Sequence, residues 1–239
     1  MYYIIGRVIF MKRVIGKINI VAILVAFSIF FTGCGLFFNP SKYVKASFDA
    51  LYKGDFEEYS KMTSVTEDQI KRQHEASCEA QIDVLAKLFC FTDDSENISI
   101  DDSIRQQIKE IYKELYSKIE YNVEDNAEKI EDGYVVHVSV SPMLIFEDSM
   151  DEVNEFVEQY NADILSGKYN DMNAYSQEVL NNLYQQEILK IFKGKMDDVR
   201  YGEPEDINIR VMRNNDKNSN YINADDLLKF SQLIIKYPS

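Results

Sequence analysis

Apolar residues recur at helical spacing through most of the chain. Positions three or four apart fall on one face of a helix, so each such run predicts an amphipathic helix with a buried side. Two runs flank Gly54, and a third begins at Thr66, where Gln69 completes the pattern of a capping box. The apolar positions of these first helices are Val44, Phe48 and Leu51; Phe56 and Tyr59; Ile70, His74, Cys78, Ile82, Leu85 and Phe89; and Ile104, Ile108, Ile111, Leu115 and Ile119.

Three more helices are predicted in the second half. Ser149 and Glu152 have the spacing of a helix cap and predict a helix that ends at Gly167. The next helix is predicted to end at Gly194, and a closing helix lies near the C-terminus. Their apolar positions are Val153, Phe156, Val157, Tyr160 and Ile164; Leu180, Leu183, Tyr184, Ile188, Ile191 and Phe192; and Leu227, Leu228, Ile234 and Ile235.

The apolar period changes to two in other regions, which indicates strands. Alternating apolar residues on both sides of "EDG" predict a β-hairpin, with Ile119, Tyr121 and Val123 before the turn and Tyr134, Val136, Val138 and Val140 after it. A second hairpin is predicted from "VRYGEPEDINIRVM" and "NSNYI". Helices segregated from antiparallel hairpins predict an α+β fold, with amphipathic helices packed on the hairpins. A parallel nucleotide-binding sheet does not fit this order.

The element order also allows an internal duplication of a helix-helix-hairpin unit. The segments "DALYKGDFEEYS" and "ADILSGKYNDMNAYS" both run from an apolar helix end through Gly to Tyr-Ser. A true repeat would divide the folded domain, residues 43–239, into halves 43–142 and 143–239. Chance similarity of two helix exits explains the pattern equally well.

The N-terminal segment has the layout of a secretory signal. An apolar run from Ile18 to Phe31 follows Lys12, Arg13 and Lys17, the order of a basic and then an apolar signal region. A membrane-spanning helix, the alternative, needs about 20 apolar residues and would have to include Gly33 and Gly35. We predict that residues 1–33 are a signal peptide, with Met11 the true start.

The residues before Cys34 resemble the lipobox of bacterial lipoproteins. In that motif an aliphatic residue, a small residue and Gly or Ala precede a Cys that is diacylated and becomes the new N-terminus. Thr32 and Gly33 fit the motif, and Phe31 departs from its usual Leu, Val or Ile. The resemblance implies lipidation at Cys34, a tether over residues 34–42 and a location on the extracytoplasmic face of the cell membrane. Two acyl chains hold a protein on a bilayer far longer than one.

The chain is strongly acidic. Its formal charge is -14, and loss of residues 1–33 removes Arg7, Lys12, Arg13 and Lys17 and no acid, which makes the mature charge -14 - 4 = -18. Such a charge repels nucleic acid and favours solubility or cationic partners. We therefore expect no nucleic-acid partner.

Three patterns could indicate chemistry at a metal or redox centre. His74 and Cys78 have metal-ligand spacing on a helix, but a tetrahedral site needs two more ligands, and His137 falls on the outward side of a strand. Core packing is therefore favoured, and we expect no metal or cofactor. If Cys78 and Cys90 share a helix they are too far apart for a disulfide, so free thiols are favoured over a bridge. Positions like those of a calcium loop occur at Asn214, Asp216, Asn218, Asn220 and Asp225, but a hairpin turn explains them better.

Paired acidic residues could indicate general acid and base catalysis. Such catalysis needs two carboxylates facing each other, one in an apolar setting. The pairs instead fall at helix starts and in polar loops, where the helix dipole and solvent explain them. The pairs are Asp93 and Asp94, Asp101 and Asp102, Glu147 and Asp148, Asp151 and Glu152, Asp197 and Asp198, and Asp225 and Asp226. We assign no catalytic residues and expect that the protein is not an enzyme.

Three segments resemble a family of uncharacterised lipoproteins from Gram-positive bacteria. They are "FDALYKGDFEEYSKMTSVTEDQI", "KIEYNVEDNAEKIEDGYVVHVSV" and "YGEPEDINIRV". The resemblance implies a lipid-anchored α+β domain and no activity. The leading hypothesis is a non-catalytic surface protein that binds a small ligand or a partner protein. Two alternatives are an immunity-type protein that sequesters cationic peptides and a carboxylate-dependent wall or glycan hydrolase.

Overall fold

The chain folds into helices that begin and end where the sequence gives local stop signals. The structure is a computed structural model, and it describes residues 38–89, 91, 100–171, 175–214 and 219–238. Helix α1 (Pro40–Phe48) is capped by the Asn39 side chain and continues as a π-helical segment, Asp49–Lys53. Gly54, at φ 73°, ends that segment, because a left-handed residue is reached most easily by glycine. The sequence predicted a domain that starts at Tyr43, and helix α1 begins three residues earlier, at Pro40.

After the short helix α2 (Glu57–Met62), capping side chains mark the start of the next two long helices. Helix α3 (Glu67–Leu88) opens with the predicted capping box, in which the side chains of Thr66 and Gln69 each accept a hydrogen bond from the other residue's backbone N–H. Helix α4 (Asp102–Ser117) is capped by Asp101. Glu114 and Lys118 form an ion pair on its surface, at 3.0 Å.

The two predicted hairpins join into one antiparallel sheet. Its strands are β1 (Glu120–Ile130), β2 (Gly133–Ser141), β3 (Glu205–Asn214) and β4 (Ser219–Ile222), in the order β1-β2-β3-β4. The strand β2 pairs with β3, Val136 lying opposite Ile209, so residues 43–142 and 143–239 share this sheet.

One predicted helix boundary in the second half, the start at Ser149, is wrong. Helix α5 (Ile145–Leu165) begins four residues before Ser149, so Ser149 lies inside it and donates its hydroxyl to the Ile145 carbonyl instead of capping. Helix α6 (Gln177–Lys195) runs through Gly194 and into a 3₁₀ turn, Met196–Asp198. The closing helix α7 (Ala224–Leu233) is capped by Asn223.

The helices cover one face of the sheet and enclose two aromatic clusters. Helices α1 and α7 pack directly on the sheet, where Phe48 and Phe230 stack with ring centroids 3.9 Å apart. A second cluster joins α5 and α6 through Phe146 and Phe192, at 5.0 Å. Buried apolar residues from every strand except β1 and β4 join the helices in one core, and the α+β prediction is confirmed.

Candidate binding surfaces

His74 and Cys78 lie on the buried face of α3, as predicted. The Nδ1 atom of His74 is 2.8 Å from the Leu51 carbonyl oxygen, and because a carbonyl only accepts, Nδ1 carries the proton. Burial lowers the pKa of His74 and raises the pKa of the Cys78 thiol to about 12. The thiolate is the form that binds metals and attacks electrophiles, so a buried neutral thiol is inert.

Neither residue belongs to a recognisable metal centre in the part of the chain that the structure describes. No group of three or more His, Cys, Asp or Glu side chains there could hold a metal ion. Cys78 is a free thiol, while Cys90 lies outside the described residues. His137 faces outward from β2 and bonds Asn208 across the strand pair, at 2.6 Å.

A cluster of buried tyrosines beside these residues was not predicted. Tyr112 and Tyr237 share a hydrogen bond of 3.2 Å, and the Tyr237 hydroxyl donates to Gln81 at 3.3 Å. The rings of Tyr52 and Tyr116 meet edge to face at 5.3 Å. Burial raises the pKa of Tyr237 to about 12 and those of the other tyrosines well above their usual value. These hydroxyls stay neutral, so the cluster packs the core and offers no acid or base near neutral pH.

The acidic residues of the predicted pairs lie in helix caps, in ion pairs or exposed on the surface. Asp101 caps α4, accepting from the Ile104 N–H at 2.7 Å. Ion pairs join Glu147 to Lys236, Asp148 to Arg200 and Glu152 to Lys195. Asp102, Asp151, Asp197, Asp198 and Asp225 are exposed, and Asp93 and Asp94 lie outside the described residues.

Asp226 is the one acid among the described residues that is fully buried, at 3% exposure. Its carboxylate accepts three hydrogen bonds from Arg210, from the backbone N–H at 3.0 Å and from Nε and Nη2 at 2.7 and 2.8 Å. The pair fastens α7 to β3. The Arg210 side chain is 41% exposed, so the pair lies at the margin of the core. No second buried acid faces it among the described residues.

The strands on either side of the calcium-like segment pair as an antiparallel hairpin, in line with the prediction. Asn214, at the end of β3, pairs with Ser219 at the start of β4. The Asn220 carbonyl accepts from the Tyr43 hydroxyl at 3.2 Å, and Asp225 lies in the first turn of α7. Asp216 and Asn218 lie outside the described residues.

Helix α5 carries an unpaired acidic face. Its sequence, "IFEDSMDEVNEFVEQYNADIL", contains seven acids and no basic residue. Asp151, Glu155 and Glu158 are exposed and make no ion pair with a described residue. Because they are four and three residues apart, they share one helix face, which continues through Ala162 to Leu165. We call residues 151, 155, 158, 162 and 165 the α5 stripe.

Apolar side chains are exposed at the end of the stripe and on the neighbouring helix. Leu165 is 57% exposed, and Val179 and Leu183 on α6 are 40% and 45% exposed. The Tyr160 hydroxyl donates to the Leu180 carbonyl at 2.8 Å, which holds this end of α5 against the start of α6. The sequence predicted that Leu183 lies on the buried face of its helix. This prediction is wrong, because the buried face of α6 contains Tyr184 and Ile188 and leaves Leu183 exposed.

The chain enters the domain at one end of the sheet. Cys34 lies outside the described residues, four positions before Phe38. The Phe38 ring contacts Tyr43 and Tyr134, with centroids 5.5 and 6.2 Å apart. Tyr134 directly follows Gly133, at the turn between β1 and β2. Among the described helices, none combines the length and the apolar character needed to cross a bilayer.

Comparisons with known proteins give a fold neighbour and no family. No family model matches the chain, and no curated protein matches it. The crystal structure of a "putative lipoprotein" (ycdA) from Bacillus subtilis is similar, with a TM-score of 0.52 and 16% identity. The match covers 83% of this chain and 56% of that one, so this chain spans little more than half the length of its structural neighbour. At this identity the likeness shows a shared fold.

Proposed function

We propose that this protein is a non-catalytic binding protein, anchored by lipid at Cys34 on the outer face of the cell membrane. The observation that carries the proposal is the position of Cys34. It follows a basic and apolar signal-like segment and Gly33, and it precedes the first described residue of the domain by four positions. The fold shared with a protein described as a lipoprotein supports the same reading.

The arrangement of the acids supports a non-catalytic role. Hydrolysis by two carboxylates needs a pair about 5 to 10 Å apart, one of them in an apolar setting. Among the described residues the fully buried acid is Asp226, and Arg210 neutralises it. Asp101 and Asp148 are engaged by a helix N-terminus and by Arg200.

Substitution of the anchoring thiol tests the location. Cys34→Ala should move the protein from the detergent phase to the aqueous phase in a temperature-induced phase separation of whole cells, and into the culture medium, because no acyl chain can then be attached. Cys78→Ala, which removes a buried thiol from the core, should leave partitioning unchanged. If the Cys34→Ala protein stays with the detergent, a membrane-spanning N-terminal helix replaces the lipid anchor.

A cationic amphipathic peptide is the ligand that the α5 stripe favours. Three unpaired carboxylates in line with an exposed Leu165 complement a peptide that has basic and apolar faces, and the chain's charge of -14 attracts it from a distance. This partner also fits an immunity-type role.

Neutralising the stripe tests this ligand. Asp151→Asn, Glu155→Gln and Glu158→Gln together should weaken binding of a synthetic Lys/Leu amphipathic peptide about tenfold, since each exposed charge contributes about 0.5 kcal/mol. Isothermal titration calorimetry at low salt measures the dissociation constant of the peptide. The matched control neutralises Glu203, Glu205 and Asp206, which are also exposed. Equal weakening by both triple variants would show that only the net charge matters and would remove the stripe as a site.

A further inference from the structure

We infer that the end of the sheet around Phe38 rests on the phospholipid headgroups, so that the domain has one fixed orientation on the membrane. We call this surface the entry end and define it by Phe38, Tyr134, Met212, Arg213 and Tyr221. The inference rests on the proposed lipidation of Cys34. To that proposed anchor it adds which surface of the domain meets the bilayer.

The length of chain between the anchor and the domain limits their separation. Four Cα–Cα steps join Cys34 to Phe38, and a fully extended chain spans at most about 14 Å over that distance. Phe38 is itself held by the rings of Tyr43 and Tyr134, and Pro40 and Ser41 are buried in α1. The domain therefore cannot stand off from the bilayer on a long linker.

The elements next to Phe38 converge on the same end of the sheet. Tyr134 lies beside the β1–β2 turn, and the Arg213 N–H donates to the Asp132 carbonyl in that turn at 2.9 Å. Tyr43, which contacts Phe38, donates its hydroxyl to the Asn220 carbonyl of β4. Next to Asn220, Tyr221 pairs with Met212 across β3 and β4. All three segments lie close to the point where the tether is attached.

The side chains at the entry end suit the membrane interface. Tyr221 is 42% exposed, and amphipathic aromatic rings favour the headgroup level. Lys42, Lys129 and Arg213 are exposed and make no ion pair with a described residue, so they are free to bind lipid phosphates. Glu131 and Asp132 in the turn are also exposed and offset part of this charge. The local balance is still far less negative than that of the whole chain, with its net charge of -14.

Introduced tryptophans can report the orientation, because the protein contains none. The mature acylated protein, residues 34–239, is placed in vesicles of phosphatidylcholine and phosphatidylglycerol that carry a nitroxide on the headgroup. The fluorescence of Tyr221→Trp should be quenched several-fold more strongly than that of Leu183→Trp, a control site on α6 with a similar exposure of 45%. Arg213→Trp provides a second reporter at the entry end.

The possible outcomes distinguish a failure of this orientation from a failure of the proposed lipid anchor at Cys34. The mass of the N-terminal peptide first shows whether Cys34 is acylated. Without acyl chains on Cys34, the proposed anchor fails and the orientation fails with it. With acylated Cys34 and equal quenching of the two reporters, or stronger quenching in Leu183→Trp, the anchor stands and the orientation is wrong.

Discussion

At the scale of single residues, His74 links two segments that are 23 positions apart in sequence. Its Nδ1 proton is donated to the Leu51 carbonyl, at the end of the first helical unit, and its ring lies against Phe56. An added Cβ at Gly54 would lie 3.7 Å from Nε2 of His74. Gly54, which ends the first helical unit, therefore also lies against the imidazole ring. The residue that looked like a metal ligand therefore holds two parts of the core together.

The burial of His74 predicts how stability depends on pH. Desolvation lowers the pKa of His74 in the folded protein below its ordinary value of 6.5. Below about pH 6.5 the unfolded chain then binds a proton that the folded chain does not, so the free energy of unfolding falls as the pH drops. The slope from this group reaches at most about 1.4 kcal/mol per pH unit.

Thermal unfolding between about pH 7 and pH 5, the range in which His74 titrates in the unfolded chain, measures this slope. His74→Gln keeps an amide donor for the Leu51 carbonyl and cannot gain a proton, so its melting temperature should vary less with pH. An unaltered slope in His74→Gln would show that other groups cause the acid sensitivity.

At the scale of secondary-structure elements, two glycines should respond to the same substitution in opposite ways. A Cβ at Gly133 would lie 2.0 Å from the Val211 carbonyl oxygen, inside the β2–β3 pairing, whereas a Cβ at Gly194 would meet nothing within 4 Å. Gly133→Ala should lower the free energy of unfolding by about 2–3 kcal/mol, because the backbone must shift. Gly194→Ala should raise it by about 0.5–1 kcal/mol, because alanine favours a helix interior.

Urea unfolding followed by circular dichroism compares these two variants directly. The comparison separates a steric effect from a general effect of adding a methyl group. A Gly133→Ala protein as stable as the unchanged one would contradict the described close pairing of β2 with β3.

The sequence predicted elements whose ends depend on local groups. Gly54, Gly167 and the Thr66–Gln69 capping box all act within a few residues, and all three predictions are confirmed. Ser149 shows the limit of such patterns. It has the same spacing to an acid as a helix cap, but α5 had already begun at Ile145, and a serine inside a helix can bond the carbonyl four residues before it.

The candidate surfaces were harder to predict because they depend on neighbours distant in sequence. Asp151 and Glu152 are adjacent, yet among the described residues only Glu152 forms an ion pair, with Lys195 on α6. Which acids stay unpaired on α5 is therefore decided by how the helices pack. The exposure of Leu183 also depends on how the helices pack, because the apolar period of α6 alone does not show which side of that helix contacts α5.

At the scale of the whole molecule, one sheet organises the attachment of the chain. The β2–β3 pairing brings the end of the second hairpin beside the turn of the first, next to the entry point at Phe38. The α5 stripe and the exposed leucines of α5 and α6 lie on other elements. The proposed membrane contact and the proposed ligand surface are therefore built from different elements of the fold.

The central claim is that Cys34 becomes an acylated N-terminus, and the mass of the mature protein tests it most directly. Protein extracted from membranes should have the mass of residues 34–239 plus a diacylglyceryl group, with the modification on the peptide that begins at Cys34. A membrane form that retains residues 1–33, or one that carries an unmodified Cys34, would contradict the account.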